Sequence, residues 1–137
     1  MKTIRLYILP VVLAALFCCA LPASAQENDA QKEKELYDAL EKQLDRLTEL
    51  LDLADWQIFY IDSIMTHDYK AMQDEMAELQ MKKVSNTDLY YSVQYSWLDK
   101  MYYAFQGVMD EDQWAKYLKT GALKDKKKRE KFFEKKK

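Results

Sequence analysis

The residues able to do chemistry are few. His67 is the only histidine, with Asp68 beside it and Asp62 five positions earlier. A lone imidazole cannot assemble the several ligands that zinc or copper takes, so His67 reads as a partly exposed helix residue. Asp110-Glu111-Asp112 offers three carboxylates in a row, but the alternate spacing and central glycine of a calcium loop are missing, and helix capping accounts for the cluster better. Cys18 and Cys19 are the only cysteines. The chain has no HExxH pattern, no glycine-rich phosphate loop and no local Ser-His-Asp or Cys-His signature. The sequence therefore predicts no catalytic residue, no metal site, no cofactor and no enzyme activity.

The first segment explains where the cysteines go. Lys2 and Arg5 are followed by an apolar run from Leu6 to Pro22 and by the small-x-small triplet Ala23-Ser24-Ala25, which is the pattern of a cleavable signal peptide over residues 1–25. The apolar run is short for a spanning helix, and Pro10 and Pro22 interrupt it. Cleavage after Ala25 predicts a periplasmic or secreted product, residues 26–137, which has no cysteine for a disulfide or a thiolate metal site. Its core has to hold by packing alone. Length alone gives one domain.

Charge divides that product. Residues 26–123 carry ten basic and twenty acidic side chains, whereas 124–137 carry nine basic and three acidic. The sequence thus predicts an acidic helical domain over 26–123 and a basic C-terminal tail over 124–137. Gly107 and Gly121 are the only glycines and no proline follows Pro22, which leaves little to build hairpins and argues against an all-β fold.

Periodicity supplies the helices. Leu36, Leu40, Leu44, Leu47 and Leu51 form one amphipathic stripe, with Asp38, Glu41, Asp45, Glu49 and Asp52 as a solvated acidic row on another face. A second helix, from about Trp56 to Lys83, carries Ile58, Ile61, Met65, Tyr69, Met72, Met76 and Leu79 along one side. Ser85-Asn86-Thr87-Asp88 is a break with helix-start chemistry. A third helix from about Asp88 to Gln106 bears two apolar rows: Leu89, Val93, Trp97, Met101 and Ala104, and then Tyr91, Tyr95, Leu98, Tyr102, Phe105 and Met109. Gly107 loosens the chain, and a short fourth helix follows from Asp110 to Lys119, with Gly121 as its stop. The expected fold is all-α: an elongated helical hairpin or a small bundle of three long helices and one short one.

Two windows share a design. Leu53-Ala54-Asp55-Trp56-Gln57 and Met109-Asp110-Glu111-Asp112-Gln113 each place an apolar residue, a capping position and then a glutamine three residues on. In a capping box the cap side chain accepts a first-turn amide while the glutamine reaches back to the cap's own N–H. At Leu53, Gln57, Met109, Asp110 and Gln113 the sequence resembles the Spy/CpxP family of exported helical proteins, whose mark is a pair of LTxxQ motifs. The first window has Ala54 at the threonine position; the second has Met109 for leucine and Asp110 for threonine. The resemblance implies a periplasmic helical hairpin, often paired into a concave cradle, that shields unfolded envelope proteins or takes part in envelope-stress signalling.

The apolar rows suggest what such a protein would bind with. Methionine is adaptable, and tyrosine joins apolar area to a polar tip. Met65, Met72 and Met76 with Tyr91, Tyr95, Leu98, Tyr102 and Phe105 are thus the candidate protein-binding surface, although core packing is the favoured account of the methionines. The expected function is non-enzymatic binding of unfolded or partner proteins, chaperone-like or related to envelope stress, with a homodimer as the assembly and no nucleic acid. The alternatives are a metal- or ligand-responsive periplasmic sensor, and a structural adaptor subunit. The basic tail reads as a solvated segment, with a frayed helical extension and contact with its own acidic body as further expectations, and contact to an anionic membrane as a minor one.

Overall fold

A computed structural model describes residues 25–137, so the expected leader lies outside the described residues except for Ala25. Every element there is helical, with no strand among the described residues. In order they are α1 (Ala25–Leu51), α2 (Asp55–Met81), α3 (Thr87–Val108), α4 (Glu111–Tyr117), a π-type turn (Leu118–Ala122) and α5 (Leu123–Glu134). The chain divides into two compact units at Ala39 and Leu40. In the first unit the described residues are the opening turns of α1, where Gln31 donates to Glu35 one turn on.

The second unit holds the core. The leucine stripe of α1 is seated as its spacing demands, with Leu40, Leu47 and Leu51 buried. From α2 come Ile61, Met65, Tyr69, Met72 and Met76, and from α3 Met101 and Phe105. Enclosing Ile61 or Met65, each almost wholly shielded, stabilises the fold by about 2 kcal/mol. Burial also pushes the Tyr69 hydroxyl up to about 12, with a smaller opposing pull from Arg129, which marks how dry this interior is.

The turns are made without glycine. At the end of α1 the Leu53 N–H reaches back to the Thr48 carbonyl (3.3 Å), and at the end of α2 the Val84 N–H reaches the Leu79 carbonyl (3.0 Å). Both closures need a left-handed residue just past the helix, supplied by Asp52 (φ 51°) and Lys83 (φ 52°) where glycine is usual. Each tucks an apolar residue, Leu53 or Val84, back towards its helix. The two glycines serve elsewhere. Gly107 lies inside α3, and Gly121, at φ 109°, sits in the π-type turn.

Gly121 thus bends the helical path and does not end it, contrary to its expected role as a stop. Residues 123–134 form a regular helix, α5, that packs on α3. Arg129 and Lys126 meet Asp99, Phe132 stacks edge-on against Tyr95 at 5.1 Å, and Lys136 donates to Ser92 and to the Asp88 carbonyl. Contacts that run down α3 as α5 is climbed make the two helices antiparallel. The helical extension expected here is regular and not frayed, and it touches the acidic body at Asp99 and Asp88 although nine cations suggest a solvated tail. What composition hides is that Ala122, Lys126, Arg129, Phe132 and Phe133 recur on one face.

Candidate functional site

The two capping windows, 56 residues apart, meet. Gln57 donates from Nε2 to Gln113 Oε1 at 2.6 Å, and Gln113 Nε2 donates back to Gln57 Oε1 at 3.0 Å. Each carboxamide also serves the start of its own helix: Gln57 Oε1 accepts the Ala54 N–H and Gln113 Oε1 the Asp110 N–H, both at 3.0 Å. Each amino group then reaches the end of a different helix. Gln57 donates to the Val108 carbonyl closing α3 (3.0 Å), and Gln113 to the Leu51 carbonyl closing α1 (3.3 Å).

The result is a buried amide clasp with a local two-fold pattern relating the α1–α2 junction to the α3–α4 junction. Gln57 and Gln113 retain 5% and 7% of their surface, so water cannot replace these bonds, and every donor and acceptor has a partner. Leu53 and Met109, the first residues of the two windows, are both buried. Sequence reasoning placed these residues at two separate helix starts; spacing within a window carries no sign of a partner 56 residues away.

The windows differ at the cap. Asp110 accepts the Gln113 N–H at 2.8 Å and so completes its box, whereas Ala54 has no side-chain acceptor and its box is half made. Ala54→Thr is therefore expected to raise unfolding free energy by about 1 kcal/mol, read as a higher urea midpoint at unchanged slope. An unchanged midpoint would show that the α2 amides already have solvent enough.

The candidate binding surface is only partly open. Met65, Met72, Met76 and Phe105 are buried, Tyr95, Leu98 and Tyr102 are half-buried, and Tyr91 alone is exposed. α5 and α4 are the reason. Phe132 stacks on Tyr91 and Tyr95, while Tyr102 lies 4.9 Å from Trp114, ring to ring. The apolar rows of α3 that looked too broad for one packing partner are met in part by two further elements of the same chain, with Leu89 and Tyr91 left exposed.

Besides Tyr91 and Tyr103 of α3, exposed apolar surface lies on α2, where the sequence reading did not look. Trp56, Phe59 and Tyr60 retain 56%, 68% and 53% of their surface, and Tyr60 touches both others edge-on at 6.2 and 5.7 Å. They occupy positions i, i+3 and i+4 of α2, a helical row of their own opposite Ile61 and Met65. That row was legible as a second period, since Trp56, Phe59 and Tyr60 fall on one face of the helix.

His67 is largely exposed, and its Nδ1 lies 2.8 Å from Asp68 Oδ1, a carboxylate that keeps only 4% of its surface. The imidazole thereby partners a buried acid, while the groove beside it is lined by α2 residues alone. Among the described residues no three His, Cys, Asp or Glu side chains converge to hold a metal.

No family model, curated protein or solved structure matches the chain.

Proposed function

We propose that this is an exported, non-enzymatic helical protein that binds other polypeptides through an exposed aromatic row, in the manner of a chaperone. The observation that carries the reading is Trp56-Phe59-Tyr60: three adjacent aromatic rings, each more than half exposed, on a helix whose opposite face is dry core. Soluble domains rarely leave contiguous aromatic area in water without a use for it, because each ring forgoes the gain of burial. The rings are rigid and tolerant of what they touch, which suits clients of varied sequence. The α2–α3 pair, locked at its ends by the amide clasp, would present this row as the outer face of a helical hairpin, the arrangement the Spy/CpxP resemblance implies. Pairing of two copies into a cradle would enlarge that face.

The test uses protein purified from expression of the full chain, mixed at equimolar ratio with a denatured client, with light scattering followed in the absence of nucleotide. Aggregation is expected to be suppressed, and the combined change Trp56→Ser, Phe59→Ser, Tyr60→Ser to abolish suppression while leaving the thermal midpoint within a few degrees, since exposed positions contribute little to stability. Suppression by the triple variant equal to that of the wild type would sink the assignment to this row, and no suppression of any client would remove the chaperone reading.

A further inference from the structure

Folding of the basic segment into α5 sorts its charges by face. At 3.6 residues per turn, Lys124, Lys127, Lys128, Lys131 and Lys135 fall within an arc of roughly 100°, turned away from the side that meets α3. All five are exposed, and none takes part in an ion pair among the described residues. The acidic residues of α5 lie off this arc: Asp125 and Glu134 to either side, and Glu130 held at 3.1 Å by Lys126. The inward side is spent on the fold, since Arg129 and Lys126 meet Asp99, and Phe132 stacks on Tyr91 and Tyr95. The outward side is an unbroken lysine strip about 16 Å long, on a chain that is acidic elsewhere.

We propose that this strip is a peripheral docking surface for an anionic lipid bilayer. Three features select that partner over others of the same charge. The strip is all lysine, with the one arginine of α5 turned inward; a lysine ammonium is a point charge that suits a diffuse anionic surface, whereas paired recognition of a phosphate or carboxylate favours the guanidinium fork. The lysines lie along the outside of a single helix, where discrete acidic side chains would gain little each from exposed pairs, but an anionic leaflet strengthens binding about fivefold per lysine without any matching of positions. The phenylalanine best suited to insertion, Phe132, is committed to the tyrosines of α3, and no described helix is long and apolar enough to cross a membrane, so contact is electrostatic and superficial. The expected leader adds consistency, since an exported chain works beside a membrane. Repulsion of the acidic remainder would hold the rest of the protein off the surface and turn α5 towards it.

The reading stands apart from polypeptide binding, because the lysines are not part of the Trp56-Phe59-Tyr60 row. The test is co-sedimentation of the purified protein with phosphatidylcholine vesicles, with and without phosphatidylglycerol. Binding is expected only where the anionic lipid is present, and is expected to fade as salt shortens the screening length. Lys124→Gln, Lys128→Gln, Lys131→Gln together should weaken it on the order of a hundredfold, while arginine at the same three positions should retain it, both variants keeping the helical circular dichroism of the wild type. Failure to bind at low salt, equal binding to uncharged vesicles, or wild-type affinity in the glutamine variant would overturn the proposal. Tighter binding to polyglutamate or duplex DNA than to the anionic vesicles would reassign the strip and overturn it equally.

Discussion

Gln113→Leu is expected to lower the free energy of unfolding by roughly 3 to 5 kcal/mol. The side chain that replaces it has similar volume, so packing is nearly conserved and the loss is one of hydrogen bonds. Four groups are stranded at once: the Asp110 N–H, the Leu51 carbonyl, and both halves of the Gln57 carboxamide directed at Gln113. A buried polar group left without a partner costs about 1 to 3 kcal/mol, and Gln57 keeps its bonds to Ala54 and Val108, which holds the total below the sum. Small domains have about 5 to 15 kcal/mol in all, so the variant should be marginal near room temperature. Gln57→Leu should behave alike, and the double variant should be far less damaging than two independent losses, because the second change removes a partner already stranded. Urea denaturation of all four proteins gives the coupling. Near-additive losses, or a single loss under about 1 kcal/mol, would mean that water enters the clasp and that the glutamines are ordinary caps.

The same clasp shows where sequence reading succeeds and where it stops. All the main helices were legible, because Leu40, Leu47 and Leu51, or Ile61, Met65, Met72 and Met76, repeat at a period that only a helix can bury on one side. The glutamine of each window was legible too, since its reach to a cap is local. Their meeting was not, because nothing within either window distinguishes a glutamine that faces solvent from one that faces another glutamine. The methionines illustrate a different limit. Their type fits either core or adaptable surface, and the decision depends on which helices lie across from them, which a one-dimensional pattern does not contain. α5 was legible as a helical extension but not as a packed one: nine cations suggest solvation, and the face of Ala122, Lys126, Arg129 and Phe133 includes two cations, invisible to an apolar template.

Those two cations make the second large effect. Asp99→Ala is expected to cost roughly 2 to 4 kcal/mol, felt mainly as release of α5 and less as loss of the whole fold. Arg129 Nε lies 2.6 Å from Asp99 Oδ1 with 7% of its side chain exposed, and Lys126 Nζ lies 3.6 Å from Oδ2 with 10% exposed. Burial works against the charged Lys126, and Tyr103, Glu130 and Asp99 together outweigh it, so the amine is held above its ordinary value. Removing the carboxylate leaves Arg129 shielded from water with no anion beside it, while Lys126 still has Glu130 at 3.1 Å; the partial exposure of Asp99 trims the loss further. An arginine cannot relieve this by losing its proton, so the cheapest relief is for α5 to lift from α3 into solvent. Hydrogen exchange across 123–134 should accelerate by at least an order of magnitude, and trypsin should cut at Lys127 and Lys128 sooner than in the wild type. Asp99→Ala with Arg129→Met should recover most of the protection, since a pair removed together leaves no stranded charge. If exchange in α5 is unchanged in Asp99→Ala, the helix is held by Phe132 on the tyrosines and the ion pair is incidental. If it lifts as expected, Tyr91 and Tyr95 are uncovered by the same event, and the chain gains a second aromatic face whose exposure is set by one carboxylate.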